Sequence, residues 1–305
     1  MSNSAVMRSA GATMRVMLNL LLVAQAFIAP VMPAETVSMR ACVWGDNQAG
    51  VPVFRQIVAA MERERPDFLL TTGDVIQNRG AIPGEWATQF LEPLAPILHL
   101  PRFGCLGNHC EPTGFMALVN QHVTAHLPGG LGLWGAVTIG GARILFMDSN
   151  QESLELRTSM MAGGPQRAWL EAQIALPEWR AARWRICMWH APPSTELWTG
   201  ACYYLRTDIA HAPWLWAMDR IARSGGDLLL CGHAHGYQRG AWGEMALVVT
   251  GGGGGGLDSA CCPNLEEIQV ALAVHHYVVL DMGEKALTVT AKNVQGQTID
   301  EVTIR

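Results

Sequence analysis

From Met39 onward the chain alternates short apolar runs with stretches whose apolar positions recur every three or four residues. Met39-Arg-Ala-Cys-Val-Trp44 reads as a strand. Val53, Phe54, Ile57, Val58 and Met61 then share one face of a helix, and Asp67-Phe-Leu-Leu-Thr-Thr72 resumes a strand. A strand, an amphipathic helix and a second strand form a βαβ unit, which requires a sheet covered by helices. The same patterns predict strands over 102–106, 143–147, 183–189, 227–231 and 245–250, and helices over 165–175 and 213–223. The tail alternates over 275–282, 286–292 and 298–304 as antiparallel strands do. No repeat and no Pro- or Ser-rich linker interrupts the pattern, so residues 35–305 are expected to form one domain.

The segment before Met39 has a different character. Arg8 and Arg15 precede an apolar run over 16–29 that carries Asn19 and Gln25 and falls short of the roughly 20 residues a spanning helix needs. Residues 1–34 therefore read as a secretory leader with cleavage near Ala26, Ala29 or Ala34, and the protein as secreted or periplasmic. An uncleaved N-terminal anchor is the alternative, as is initiation at Met14. No stable membrane span is expected once the leader is removed.

Composition excludes two classes. The chain of 305 residues is 50% hydrophobic, enough to bury a core, so whole-chain disorder is excluded. With 15% charged residues and a net charge of −5, it offers no basic surface for nucleic acid. Its eight cysteines show no C-x-x-C spacing, so no structural zinc site is expected. Cys42, Cys187 and Cys231 fall inside apolar runs as small buried hydrophobes. Cys202, Cys261 and Cys262 lie in stretches where an oxidising compartment would allow a disulfide from Cys202 to one of the pair.

The candidate chemistry sits just after five predicted strands: Gly45-Asp46-Asn47-Gln48, Gly73-Asp74, Gly107-Asn108-His109, His190-Ala-Pro-Pro193 and Gly232-His233-Ala-His235. Each is a common turn by itself. Their order matters, because side chains at the carboxyl ends of the strands of one sheet converge on one crevice. Carboxylate, imidazole and amide suit Mn, Fe or Zn, and the lack of thiolates argues against an iron–sulfur cluster. The adjacent glycines are expected to supply positive φ at these turns.

This ordered set, with Gly232-His233-Ala-His235-Gly-Tyr-Gln-Arg239 at its end, resembles the calcineurin-like metallophosphoesterase superfamily, and is most similar to its purple acid phosphatase branch. Gly164-Pro-Gln166-Arg-Ala-Trp169-Leu170-Glu171 resembles the segment joining the two halves of such enzymes. The resemblance runs from about Met39 to His276. It implies an α/β fold, a four-layer αββα sandwich of two mixed β-sheets flanked by helices, holding two divalent or mixed-valence metal ions (Fe, Mn or Zn). By position, Asp46 and His235 would bind the first ion and Asn108, His190 and His233 the second. Asp74 would bridge them, and His109 would stay off the metals as the catalytic acid. The implied activity is hydrolysis of small phosphate mono- or diesters by a hydroxide activated at the dinuclear centre.

Three positions depart from the family pattern. Gln48 stands where many members have a histidine, and Gln77 where purple acid phosphatases have a tyrosine. Cys110 replaces the acid that orients the catalytic histidine, with Glu111 one position away as a substitute. These departures suggest an alternative, a metal-binding protein of the same fold with weak or lost catalysis. A serine hydrolase has no Gly-x-Ser-x-Gly elbow to rest on, and Cys110 would need a histidine base.

Residues 113–133 and 194–211 are expected to wall the cleft. His99, His122, His126 and His211 read as surface or helix residues, and Trp198, Trp214 and Trp216 as packing. His275 and His276 could approach the site. The run Gly251 to Gly256 is either a flexible loop or a turn whose backbone approaches the cleft. Tyr237 and Arg239 could contact phosphate, or the Arg could pair with an acid.

Overall fold

Alternation along the first strand sets the layering. In the computed structural model, which describes residues 38–120, 134–150, 159–199, 212–261 and 265–305, β1 (Met39–Trp44) sends Ala41 and Val43 into one apolar layer and Cys42 and Trp44 into another, as a period of two dictates. The leader, His122, His126, Cys202, His211 and Cys262 lie outside the described residues, as do parts of both expected cleft walls.

The first sheet holds β1, β2 (Phe68–Thr71) and β3 (Arg102–Gly104) in parallel. Antiparallel to β1 runs β11 (His276–Met282), followed by β12 (Leu287–Asn293) and β13 (Thr298–Ile304), giving the order β13-β12-β11-β1-β2-β3. In the second sheet β5 (Ala142–Phe146), β6 (Trp184–Met188), β7 (Leu228–Cys231) and β9 (Met245–Thr250) are parallel. β4 (Gly135–Ile139) and β8 (Tyr237–Trp242) run antiparallel to these, and β10 (Ile268–Leu272) pairs antiparallel with β8 to complete the order β10-β8-β9-β7-β6-β5-β4. Both sheets are mixed.

Val43, Phe68, Leu70 and Leu280 of the first sheet meet Ile144, Phe146, Ile186 and Val248 of the second in a shared apolar layer. On the far side of the first sheet, α1 (Val51–Glu64) buries Phe54, Ile57, Val58 and Met61 against Trp44 and Leu69. A π-helical turn, Trp86–Leu91, and α2 (Pro112–Leu118) add Phe90 and Phe115 to that layer. On the far side of the second sheet, α3 (Pro165–Ala175), α4 (Pro177–Ala181) and α5 (Ala212–Arg223) bury Leu170, Ile174, Trp179, Met218 and Ile221 against Leu145, Cys187 and Leu229. Helix, sheet, sheet, helix is the four-layer α/β sandwich that the resemblance implied. No helix among the described residues is long and apolar enough to cross a membrane.

Candidate metal centre

The motifs follow β1, β2, β3, β6 and β7, all parallel within their own sheets. Positive φ falls on the side chains themselves, at Asp46 (59°), Gln48 (42°), Asp74 (52°) and His233 (69°). This corrects the expectation for the glycines, of which only Gly73 adopts it, at 101°. The left-handed region costs an L-residue roughly 1–2 kcal/mol and persists where neighbours over-determine it. Here the backbone N–H of Asp46 donates to Gly73 O (2.9 Å), that of Gln48 to Asp74 O (3.1 Å), and that of His233 to both oxygens of Asp46 (3.0 Å each). Gly107 serves close approach instead, since a Cβ there would stand 2.0 Å from Asp74 Oδ1.

Six predicted ligands come together. His190 Nε2 lies 3.3 Å from Asp74 Oδ2, 3.1 Å from Asn108 Oδ1, 3.1 Å from His233 Nδ1 and 4.0 Å from Asp46 Oδ1. His235 Nε2 lies 3.6 Å from Asp46 Oδ1. Ligand atoms of Asp74, His190 and His233 all fall within 4.8 Å of one another. The outer ring nitrogens are tied back, His190 Nδ1 to Thr72 O (2.8 Å) and His235 Nδ1 to Gly256 O (2.6 Å). Such a bond to the remote nitrogen fixes the tautomer that presents a lone pair to a metal.

The electrostatics are those of two buried acids balanced by imidazoles. Asp46 and Asp74 are fully buried. Burial raises the Asp46 carboxyl above its ordinary range despite the facing histidines. Burial would also raise Asp74, but the His190 charge and bond and the His109 N–H outweigh it and hold the acid at about 2. Burial lowers His190, yet the two acids pull it up to about 9. Burial again lowers His235, and the bond to Asp46 brings it to about 9. Burial and then the charge on His190 drive His233 down to about 3, leaving a neutral imidazole. Two buried acids that hold protons on neighbouring imidazoles form a donor set suited to hard or borderline divalent cations.

The departures have structural answers. Gln48 Nε2 lies 3.4 Å from both Asp74 Oδ2 and His235 Nε2, so its amide reaches the Asp46–His235 side of the cluster. Cys110 is buried, accepts Val75 N–H (3.2 Å) and has its thiol pushed up by burial, which leaves no nucleophile there. Glu111 caps α2 through Thr113 N (2.8 Å) and Gly114 N, and so does not orient His109. His109 instead donates its backbone N–H to Asp74 Oδ1 (2.7 Å) and sets Nδ1 against Gln77 O (2.7 Å).

Other candidates separate clearly. Tyr237 and Arg239 both bind Asp300, at 2.7 and 2.5 Å, which is the pairing with an acid expected as one of the two readings of the Arg. Gly253 N donates to Gly45 O and Gly255 N to Asp46 O, each at 2.8 Å, so the glycine run is clamped to the Asp46 turn rather than flexible. Trp214 packs tilted against Trp189 and Trp216 lies under Arg167, as packing. Trp198 also joins the core margin, but its ring sits 4.6 Å from that of His233, beside the site. His99 is exposed, and His276 is buried beneath Gly252.

Sequence reasoning missed Asp258, whose carboxylate takes His235 N–H (2.7 Å) and Thr199 N–H (2.9 Å), and Glu85, which gathers the 77–80 loop. Only the position of Asp258 just beyond the glycine run could have flagged it. It also missed Asp148-Ser149-Asn150, after β5, where Ser149 Oγ accepts Ala191 N–H (2.9 Å) beside His190. That cluster follows a strand end as the other motifs do, and this placement was the available signal.

A family model described as calcineurin-like phosphoesterase matches residues 39–237. Two uncharacterised Mycobacterium tuberculosis proteins, MT2654 and Rv2577, are each 26% identical over 214 residues. The match covers 63% of this chain, which spans about two fifths (38%) of the length of these relatives. Among solved structures, the purple acid phosphatase PPD1 of yellow lupin seeds superposes with TM-score 0.67 at 17% identity, over 89% of this chain and 54% of that one. GAP50, the anchor in the inner membrane complex of Plasmodium, gives 0.63 at 13% over 88% and 89%. A dimetal phosphatase from Danio rerio gives 0.58 at 12% over 87% and 98%. At these identities the superpositions establish the fold alone.

Proposed function

The chain belongs to the calcineurin-like phosphoesterase family, and from that premise we propose that it is a metal-dependent hydrolase of small phosphate mono- or diesters working through a dinuclear centre. One observation carries the proposal: the inward-facing ligand atoms of Asp46, Asp74, Asn108, His190, His233 and His235 share one cluster. Asp46, His235 and the Gln48 amide would hold one ion; Asn108, His190 and His233 the other; Asp74 would bridge. Bound cations would neutralise phosphoryl oxygens and lower the pKa of a water that attacks phosphorus.

The chain's own residues do the rest. Asp46 and Asp74, out of solvent, hold the positive charge that draws an anionic ester into the cleft. His109 stays outside the cluster, and with Nδ1 engaged by Gln77 O its Nε2 is the nitrogen left to protonate the leaving oxygen. The described part of the wall at 194–199 is pinned by Asp258, which sets Trp198 against His233 and narrows the approach. The proposal includes export behind a leader over residues 1–34 with 35–305 as the catalytic domain, which N-terminal sequencing of the mature protein checks.

Purified protein loaded in turn with Mn, Fe and Zn should hydrolyse p-nitrophenyl or bis-p-nitrophenyl phosphate and carry two ions by elemental analysis. Asp74→Ala should lose both ions. His109→Ala should keep them and lose roughly 100-fold or more in kcat. One ion per chain, with turnover unchanged in His109→Ala, would favour a metal-binding protein with lost catalysis.

A further inference from the structure

Cys110 stands where an acid would orient His109, and Glu111 is committed to capping α2, so the imidazole must be held by other means. Its Nδ1 rests on the carbonyl of Gln77, 2.7 Å away. The N–H of the same Gln77 is held by Gln89 Oε1 (2.8 Å) and Glu85 Oε1 (3.2 Å). Glu85 is 2% exposed, and its carboxylate also takes Asn78 N (2.7 Å), Asn78 Nδ2 (3.0 Å) and Gly80 N (2.9 Å). Arg79 N returns to His109 O (2.9 Å), closing a ring of bonds between loop and histidine.

The loop needs this anchor, because Arg79 and Gly80 both adopt positive φ, at 58° and 72°. Glu85 and Gln89 reach it together because they bracket the start of the π-helical turn, a rare geometry often found beside functional sites. A buried carboxylate taking several N–H donors makes strong, directional bonds, and few arrangements of the loop satisfy all of them.

Resting on the phosphoesterase reading of the site, we propose that Glu85 is a positioning residue for His109. It fixes the Gln77 carbonyl, and through it holds the imidazole where Nε2 can serve the leaving oxygen. In the step served, a water oxygen bonds to phosphorus and sheds a proton to solvent. The bond from phosphorus to the ester oxygen breaks, its electron pair stays on that oxygen, and the proton on His109 Nε2 moves there to give the alcohol. Solvent then reprotonates the imidazole. An ester whose leaving oxygen is a stable anion has little use for that proton, so the reach of Glu85 can be read from the leaving group.

Glu85→Gln keeps the volume but turns an amide N–H toward the backbone donors, and Gln89→Ala removes the second hold on Gln77. Glu85→Gln should lower kcat for glycerol 3-phosphate by roughly tenfold or more and for 2,4-dinitrophenyl phosphate by less than about threefold, since misplacing a catalytic group costs most where that group is used. Gln89→Ala should show the same ordering, more weakly, and decides the kinetic arm if Glu85→Gln fails to fold. In a His109→Ala background Glu85→Gln should cost nothing further.

The independent readout is the ring ¹⁵N–¹H correlation of His109 in metal-free protein at one fixed pH, identified by its loss in His109→Ala. It should shift or broaden in Glu85→Gln and in Gln89→Ala. Ring signals unmoved in both variants, equal losses for the two esters, or losses that multiply with His109→Ala would each overturn the proposal. Absence of turnover in the unaltered protein would instead sink the phosphoesterase reading, and the ring signals would still decide the positioning.

Discussion

His276 shows how far one side chain can set the behaviour of the fold. It is fully buried at the start of β11, with Nδ1 3.0 Å from Val274 O, no hydrogen-bond partner at Nε2 among the described residues, and the Tyr237 ring edge-on at 5.2 Å. Burial pushes its pKa down to about 4, against an ordinary value near 6.5. Between those two pH values the unfolded chain takes up a proton that the folded chain refuses, so stability falls as pH falls through that window. At pH 4.5 the loss amounts to about 2–3 kcal/mol relative to pH 7.5. Denaturant titrations at the two pH values should show a gap that includes this loss, and His276→Leu, which has nothing to titrate, should narrow it by that amount. An unchanged gap would mean that His276 is not held neutral.

The turn between β9 and the following loop packs backbone on backbone. A Cβ on Gly253 would lie 2.2 Å from Gly45 O, the carbonyl that Gly253 N already uses, and one residue from Asp46. Neither partner is a flexible side chain, so relief would have to come from moving the Asp46 turn. Gly253→Ala should therefore cost about 1–3 kcal/mol of stability and weaken metal uptake, whereas Gly256→Ala, with nothing within 4 Å of its Cβ, should stay within about 0.5 kcal/mol of the parent. Melting temperatures with metal titrations would separate the two. The composition of this run was visible in the sequence, but its role was not, because glycine is equally suited to free loops and to close contact. The residues of the cluster were legible as candidates for the opposite reason: a carboxylate or imidazole just past a strand end has few structural uses, and several in order have fewer. Strands with strong alternation or continuous apolar runs were legible too. β4, β8 and β10 were not, since they mix half-buried or exposed positions with buried ones, and β8 carries Arg239 and a Gly240 whose Cβ would lie 1.8 Å from Glu267 O. Glu85 was invisible because its value comes from backbone donors of an upstream loop that carry no side-chain pattern.

At the scale of the molecule, each sheet carries part of the proposed ligand set, Asp46, Asp74 and Asn108 from the first and His190, His233 and His235 from the second. The cluster of side chains therefore holds together only while the sheets keep their registry. The shared apolar layer is non-directional and cannot by itself fix that registry. Polar ties across it can, and Asp300 on β13 supplies one, taking Tyr237 Oη at 2.7 Å and Arg239 Nε at 2.5 Å from β8. Burial would raise the Asp300 carboxyl, but the bonds from Arg239 and Tyr237 hold it below its ordinary range, so it stays ionised in the tie at neutral pH. Asp300→Ala leaves a largely buried Arg239 without its carboxylate partner, at a cost on the order of 2 kcal/mol. Because the tie does not touch the ligand cluster, that variant should melt earlier while binding as much metal and showing the same KM for p-nitrophenyl phosphate. If Tyr237 and Arg239 served substrate phosphate instead, freeing Arg239 would change KM with little change in melting, and the two outcomes are opposite in sign for the pair of measurements.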